Sequence, residues 1–399
     1  MDADGLAQLL SPQGWALLQA LPPYDDARAM ALSERLRADG ADPALVAAAL
    51  TQSRLRQRAR AKFGEFADGM LLTPAGLEQA TRLVVAARHA GRYRDAGLMH
   101  VADLTCGIGA DSLALAGVGL RVLAVEQDET TAALATVNLR HFPEAVVRHG
   151  DGLAVDLAAE GVDGVYADPA RRTGAGSRVF DPGAWTPPLD AVLALRARVP
   201  ALGVKLGPGV PHGALPADAE AQWVSVDGDV VEVGVWCGPL APDGPGRSAL
   251  LLRTGERAGS YLVATTDPAR LAPPEVGPVG AYLHEPDGAV VRAGLVARVA
   301  EEVHGRLVDP TIAYVTTDAP TTTPAATAYR VLDTLPFGLK PLRAYLRTRG
   351  VGRLTIKKRG TAVVPEQLRR QLDLHGEAEA TIVLTRVAGR QHVLVVEPL

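Results

Sequence analysis

Four acidic side chains recur along the chain, each at the end of a short apolar run. The runs read "HVAD", "VLAVE", "VVRHGD" and "VYAD", and they end at Asp103, Glu126, Asp151 and Asp168. Short apolar runs that alternate with helical stretches are typical of a parallel sheet with helices on both faces. Because the carboxyl ends of parallel strands share one edge, we expect the four carboxylates to line a single polar cleft.

A glycine turn follows the first of these strands. The stretch "DLTCGIGADS" passes through Gly107 and Gly109 and enters an apolar helix. Glycine at such a turn lets the backbone approach a ligand closely and adopt dihedral angles that other residues avoid. The dinucleotide fingerprint requires a third glycine at the position of Ser112, which disfavours NAD or FAD. A purely structural tight turn stays open as an alternative.

The spacing of Asp103, Gly107 and Gly109 resembles the first motif of class I S-adenosylmethionine-dependent methyltransferases. Thr105 stands where that motif often has its first glycine. The resemblance implies a binding site for S-adenosylmethionine, with Glu126 accepting hydrogen bonds from the ribose and Asp151 placed for the adenine amino group. The alternatives are that Glu126 is a solvated strand end and that Asp151 is a turn residue before Gly152. The predicted cofactor-binding residues are Asp103, Thr105, Cys106, Gly107, Gly109, Glu126, Gln127, Asp151 and Gly152.

The fourth strand end, "VYADPARR", supplies the predicted catalytic residues Asp168, Pro169 and Arg171. Asp168 could accept a hydrogen bond from an exocyclic amine, and Pro169 would fix the backbone beside it. Enzymes that methylate adenine or guanine amino groups commonly have an aromatic residue where this chain has Arg171. A guanidinium can stack on a base or hold a phosphate. Alternatively, Arg171 and Arg172 are surface or ion-pair residues.

The two cysteines and Lys205 bear on the choice of mechanism. RNA uracil-C5 methyltransferases have a similar Pro-Arg corner but need a cysteine nucleophile. Cys106 lies inside the glycine turn and Cys237 in a late strand, which argues against that mechanism. Lys205, at the end of the fifth strand, either faces the cleft or is exposed to solvent.

Longer segments extend the resemblance over most of the chain. They are "DPARRTGAGSRVFDPGAWTPPLD", "GVKLGPGVPH" and "LPFGLKPLRAYLRTRGVGRLTIKKRG". Together they resemble the bacterial family of class I methyltransferases with a C-terminal THUMP-like domain. The resemblance implies an α/β fold with a Rossmann-like methyltransferase sheet, an N-terminal helical region and a small C-terminal α+β THUMP-like domain.

The local patterns agree with this organisation. They predict a helical region over 1–95, alternating strands and helices over 96–262, a connector with one helix over 263–325 and a separate unit of helices and strands over 326–399. The resemblance implies that the second segment is the methyltransferase domain and the fourth is the THUMP-like domain. Within the second segment, "QWVSVDG", "VVEVGVWCG" and "SALLLRTG" are too close together for intervening helices. We expect them to form an antiparallel edge of the sheet.

The C-terminal segment is strongly basic. Residues 330–360 contain nine Lys or Arg residues and one acidic residue, whereas the whole chain has a formal net charge of -4. Such a patch suits phosphate backbones, although a solvated basic face is the alternative. THUMP domains deliver RNA to modification enzymes, which suggests RNA as a partner by analogy. The predicted RNA-binding residues are Lys357, Lys358, Arg359, Arg343 and Arg347.

Composition limits the number of domains, the cellular compartment and the kinds of site that we expect. The 399 residues are 47% hydrophobic and 22% charged, which is typical of a folded protein with two or three domains. Two cysteines without metal-ligand spacing indicate a reducing compartment and predict no metal site. No apolar run reaches the roughly 18 to 20 residues of a membrane span, so we expect a cytoplasmic protein.

The chain is therefore interpreted as a methyltransferase that modifies a nitrogen of a base in structured RNA, such as tRNA or rRNA. Two alternatives stay open. One is a small-molecule methyltransferase whose basic module serves assembly. The other is an RNA-binding protein that keeps the methyltransferase fold without turnover.

Overall fold

The computed structural model describes residues 3–170 and 182–399. The chain divides into two compact units. The first comprises Met1–Leu206 with Val235–Pro242, and the second comprises Gly207–Gly234 with Asp243–Leu399.

Six helices begin the first unit, as the sequence predicts. They are α1 Ala3–Leu10, α2 Pro12–Ala20, α3 Ala29–Ala38, α4 Pro43–Phe63, α5 Pro74–Gln79 and α6 Leu83–Asp95. Ser11, Asp42 and Thr73 cap α2, α4 and α5, because each side chain accepts a backbone N–H of the first turn. Such caps satisfy amide groups that have no partner inside the helix.

Two buried amide side chains fasten these helices to the glycine turn. Gln52 of α4 exchanges two hydrogen bonds with the backbone of Leu72, at 2.7 and 2.9 Å. Asn138 accepts the Leu71 N–H at 2.8 Å and donates to the Ile108 carbonyl at 2.8 Å. Because buried backbone groups must be paired, the stretch before α5 and the turn after the first strand are held together.

The central sheet of the first unit has five parallel strands. They are β1 His100–Asp103, β2 Arg121–Glu126, β3 Ala145–His149, β4 Gly164–Ala167 and β5 Leu202–Leu206, with α7 Ala110–Gly117, α8 Glu129–Asn138 and α9 Leu189–Ala194 between them. Their order is β3-β2-β1-β4-β5 and all four pairings are parallel. The order reverses between β1 and β4, and a ligand crevice is expected beyond the carboxyl ends at such a point. The predicted Rossmann-like sheet is confirmed.

The second unit begins with strands that differ from the expected antiparallel edge. These are β6 Glu220–Val226, most of β7 Asp229–Trp236, β8 Gly246–Arg253 and β9 Gly259–Thr265. β6 pairs with β8 in parallel, and only β9 is antiparallel to β8. The reason is the strand order β7-β6-β8-β9. Because β8 lies beside β6 and not beside β7, the strand before it in the chain, it forms no antiparallel hairpin with β7.

The rest of the second unit forms a seven-stranded sheet with four helices. The elements are β10 Tyr282–Pro286, α10 Gly288–Ala293, α11 Val296–Glu302, β11 Arg306–Asp309, β12 Ile312–Thr317, β13 Ala326–Pro336, α12 Leu339–Thr348, β14 Val351–Lys358, α13 Pro365–Leu372, β15 Ala378–Val387 and β16 Arg390–Pro398. The strand order is β11-β12-β10-β13-β16-β15-β14. Three of these strands lie in the segment predicted as a connector. The one helix predicted in the connector is divided into α10 and α11 at Gly294, whose φ is 74°.

No helix within the described residues combines the length and the apolar character that crossing a bilayer requires.

Candidate active site

The loop between β1 and α7 opens the backbone to a ligand. Gly107 and Gly109 have φ values of 56° and 86°, in the left-handed region that favours glycine. A Cβ added at Gly107 would meet no atom of the described residues within 4 Å. A ligand could therefore approach the Gly107 backbone closely.

Asp103 is buried at the start of this loop. Its side chain accepts the Ser112 hydroxyl at 2.6 Å and, at 3.4 Å, the Thr105 N–H. Burial raises the pKa of the Asp103 carboxyl to about 7, and the charge of Asp111 adds to the shift. Ser112, which departs from the dinucleotide fingerprint, thus serves as a hydrogen-bond donor to the acidic strand end.

Glu126 links the second strand end to the glycine turn. Its two carboxylate oxygens accept the N–H groups of Gly107 and Asp128, each at 2.9 Å. Gln127 is exposed, and its carbonyl oxygen lies 3.0 Å from Nε2 of His149. Glu126 and Gln127, both predicted to bind the cofactor, thus lie at the carboxyl end of β2, and Glu126 contacts the glycine turn.

The third strand end is held against the first. Asp151 is exposed and its carboxylate accepts the Leu153 N–H at 2.9 Å. A Cβ on Gly152 would come within 2.2 Å of the Leu104 carbonyl oxygen, so only glycine fits there. This close approach places Asp151 beside the loop that follows β1.

Thr105 joins the glycine turn to the fourth strand end. Its hydroxyl accepts the N–H of Asp168 at 2.6 Å. A glycine, which the methyltransferase motif often has here, could not make this contact. Pro169 is buried next to Asp168, whereas Arg171 and Arg172 lie outside the described residues.

A run of buried polar groups leads away from Asp168. Its carboxylate oxygen Oδ2 lies 2.5 Å from Nζ of Lys205, and Nζ also donates to the Thr81 hydroxyl at 2.9 Å. Thr81 in turn donates to Asp111 at 2.6 Å, and Nδ1 of His89 lies 2.9 Å from the other Asp111 oxygen. We call these five residues the buried polar chain. The sequence does not decide between a cleft-facing and a solvent-exposed Lys205, and it gives no signal for Thr81, Asp111 or His89.

Both cysteines are buried thiols. Burial raises the pKa of the Cys106 thiol well above its ordinary value, with the charges of Asp103 and Glu126 adding to the shift. The thiolate is the nucleophilic form of cysteine, so Cys106 is unsuited to covalent catalysis. The geometry supports the argument against a cysteine nucleophile.

In the second unit, the predicted RNA-binding residues differ in how they are engaged. Lys357 lies 2.6 Å from Glu285 of β10, and Arg359 lies 3.9 Å from the same carboxylate. The other three are Lys358, Arg343 and Arg347, which donate to backbone carbonyls of Val363, Gln371 and Asp373 respectively. Lys358 and Arg347 are exposed. The basic run is therefore not a uniform cationic face.

A curated relative decides the family. It is an uncharacterized S-adenosylmethionine-dependent methyltransferase of Mycobacterium tuberculosis, found alike in strains CDC 1551 and H37Rv. It is 34% identical over 353 residues, which cover 84% of this chain and 91% of the relative. The chain belongs to the S-adenosylmethionine-dependent methyltransferases. The predicted enzyme class and cofactor are thereby confirmed.

Two further comparisons describe the parts of the methyltransferase. A crystal structure of a protein from Porphyromonas gingivalis W83, assigned as a methyltransferase, matches 94% of this chain and 99% of its own with a TM-score of 0.72. At 21% identity it shows the fold alone. Residues 326–398 match the family model described as THUMP domain-like, and residues 2–59 match a domain of unknown function, DUF8688. The predicted THUMP-like domain is confirmed.

The strand ends of the methyltransferase fit its cofactor chemically. The open backbone at Gly107 could accommodate a close ligand. The Glu126 carboxylate accepts one N–H at each oxygen, and each oxygen has a second lone pair for a ribose hydroxyl. Asp103 offers a buried carboxylate that a nearby cation would stabilise in its ionised form.

Proposed function

We propose that the methyltransferase transfers a methyl group to a nitrogen of a base in structured RNA, such as tRNA or rRNA. The observation that carries the RNA assignment is the THUMP domain-like match at 326–398, because THUMP domains deliver RNA to modification enzymes. The exposed cations of the same segment could contact phosphates.

In this proposal the glycine turn and the next two strand ends hold the cofactor. The methionine end of the cofactor would lie beside the glycine turn, at Asp103, Thr105, Cys106, Gly107 and Gly109. Glu126 and Gln127 would contact the ribose, with Asp151 and Gly152 beside the adenine. The support is the contact geometry that joins Glu126 to the Gly107 N–H and packs Gly152 against Leu104.

S-adenosylmethionine supplies a methyl group that its sulfonium already activates, so the protein mainly has to position the acceptor. Asp168 would accept a hydrogen bond from the target amine, and this contact strengthens as the nitrogen becomes cationic. Pro169 would fix the backbone that aims it. Arg171 would take the place of the aromatic residue that holds the base in related sites, by stacking or by binding a phosphate.

The test of this function is mass spectrometry of tRNA and rRNA nucleosides from a strain that lacks the gene. One methylated nucleoside should be missing and should return when the wild-type gene is restored. An unchanged nucleoside profile, together with methyl transfer into a small-molecule extract, would contradict the RNA assignment. That outcome would favour the small-molecule methyltransferase.

RNA binding should depend on exposed cations of the second unit. Replacing Lys358 and Arg347 by Glu should weaken RNA affinity at least about 10-fold, because each substitution reverses a charge that could neutralise a phosphate. The Arg347 contact with Asp373 is an exposed pair, which contributes little and can be exchanged for a phosphate. The measurement is binding of labelled total tRNA at several salt concentrations, where wild-type affinity should fall steeply with salt.

A matched control for that experiment is the pair Arg28→Glu and Arg94→Glu, which makes the same charge change on exposed side chains of the first unit. Lys357 and Arg359 are poor choices, because Glu285 would lose both cations that it pairs with and the sheet could be disturbed. Equal loss of affinity in both double variants would show a general charge effect and move the RNA site elsewhere.

A further inference from the structure

We propose that Lys205 is a positioning residue for Asp168, and that Thr81, Asp111 and His89 hold Lys205 in place. The inference rests on the proposed function, in which Asp168 accepts the hydrogen bond of the target amine. It adds a supporting role for buried side chains from α6, α7, β5 and the link between α5 and α6.

Lys205 is held between two acceptors. Nζ lies 2.5 Å from the Asp168 carboxylate and 2.9 Å from the Thr81 hydroxyl. The lysine side chain is only 11% exposed, and the Asp168 side chain is 33% exposed. A buried ammonium is tolerated only where charges and hydrogen bonds compensate it. The contact therefore fixes the orientation of the carboxylate while one side of Asp168 still reaches solvent.

The hydrogen bonds from Lys205 to Thr81 and from Thr81 to Asp111 have a fixed donor and acceptor. An ammonium has no lone pair, so Thr81 must accept from Lys205, and its own hydrogen goes to Asp111 at 2.6 Å. Burial works to raise the pKa of Asp111, but the hydrogen bond and charge of His89, with Lys205 and Thr81, outweigh it and lower that pKa. Asp111 is therefore an anion on the far side of Lys205. Lys205 Nζ thus contacts the Asp168 carboxylate directly and is connected to the Asp111 carboxylate through the Thr81 hydroxyl.

A second, partly buried lysine lies within electrostatic range of Lys205. Lys62 of α4 donates to the carbonyls of Leu77, Glu78 and Ala80 at the end of α5. Burial lowers the pKa of Lys62 to about 8, and the neighbouring charge of Lys205 is the second cause.

The kinetic test is a double-mutant cycle between Lys205→Met and Asp168→Asn. Methyl transfer to total RNA from a strain that lacks the gene is followed with labelled S-adenosylmethionine. Lys205→Met should lower kcat about 10- to 100-fold, as expected for a misplaced catalytic group. If Lys205 acts through Asp168, the double variant should be no slower than Asp168→Asn. Multiplying losses would overturn the proposal.

A conservative pair separates positioning from folding. Thr81→Val removes the hydroxyl that holds Lys205 and should lower kcat about 10-fold, with cofactor affinity by calorimetry unchanged. Thr81→Ser keeps the hydroxyl and should restore kcat. Equal activity of the Val and Ser variants would overturn the role of Thr81.

A second readout does not require turnover. The chain has five lysines, at positions 62, 205, 340, 357 and 358, so 15Nζ-labelled lysine gives a resolvable NMR spectrum. Asp168→Asn and Thr81→Val should each shift the Lys205 signal and leave those of Lys340 and Lys358 in place. An unmoved Lys205 signal would overturn the proposed contact.

The two proposals fail in different ways. Methyl transfer into a small-molecule extract and not into RNA would overturn the RNA assignment, yet the same cycle could be measured with that acceptor. Multiplying losses with RNA as acceptor would overturn the role of Lys205 and leave the RNA assignment intact.

Discussion

Replacing Asp168 with Asn is expected to lower the turnover number of methyl transfer about 10²- to 10³-fold, the cost of removing one aligned polar group from a transition-state contact. The side chain keeps its shape, but one carboxylate oxygen becomes an amide NH₂ group that repels the Lys205 ammonium and the N–H of the target. The charge that would stabilise a developing cation is also lost. Cofactor affinity should stay within about 3-fold, because proposed cofactor contacts lie on other strand ends.

Turnover is measured with labelled S-adenosylmethionine and RNA from the deletion strain, and cofactor affinity is measured by calorimetry. Asp190→Asn is the matched control, since Asp190 is an exposed carboxylate on α9 of the same unit. Retained turnover in Asp168→Asn would remove the catalytic role. A parallel loss of cofactor affinity would show that Asp168 belongs to the cofactor site.

Replacing Asp103 with Asn is expected to stabilise the protein at pH 8 and to weaken cofactor binding. The folded pKa of about 7 lies above the ordinary value of 3.8, so the folded state holds an extra proton between these values. Stability from this group therefore falls as pH rises from about 4 to about 7, and stays low above it. This difference between the folded and the ordinary pKa of Asp103 corresponds to roughly 2 to 4 kcal/mol in the free energy of unfolding at pH 8. The Ser112 hydroxyl can turn to accept from the new amide.

The measurement is chemical unfolding at pH 5 and pH 8. The difference between wild type and Asp103→Asn should be larger at pH 8. Asp111→Asn is the control with the opposite sign, because the pKa of Asp111 is lowered and its ionised form stabilises the fold. Calorimetry should show at least about 10-fold weaker binding of the cationic cofactor to Asp103→Asn. Stability that does not change with pH in wild type would contradict the raised pKa.

The sheet of the first unit was predictable because its pattern is local. Each strand is a short apolar run, and the carboxyl ends of parallel strands must share an edge. The pattern therefore predicts Asp103, Glu126, Asp151 and Asp168 at the same edge of the sheet without any tertiary information. It failed at β8, where the pairing depends on which earlier strand is the neighbour, and local apolar runs do not encode that choice.

The supporting contacts of the site were not predictable. The motif predicts Thr105 only as a cofactor-binding residue, yet its hydroxyl also accepts the N–H of Asp168, 63 residues later. Lys205 meets Thr81 across 124 residues. Contacts between residues so far apart in sequence produce no spacing pattern. The identity of a threonine or a lysine also does not reveal whether its side chain has a buried partner or is solvated.

The basic run shows the same limit for charge. Counting residues gave the excess of cations over anions correctly. Pairing of Lys357 with Glu285, which lies 72 residues earlier, could not be read from that count. The sequence reports how many charges a segment has, whereas the fold decides which of them are available to a partner.

The strand arrangement around β13 bears on where an autonomous folding unit can begin. The THUMP domain-like match starts at 326, but β13 pairs along five residues with β10. Leu283 and Tyr314 from upstream share a hydrophobic core with Tyr329 and Leu394. A fragment cut at 326 would expose a long unpaired strand edge and an open apolar face, which invites aggregation. In this chain, the start of the THUMP domain-like match therefore does not coincide with the start of a unit that could fold on its own.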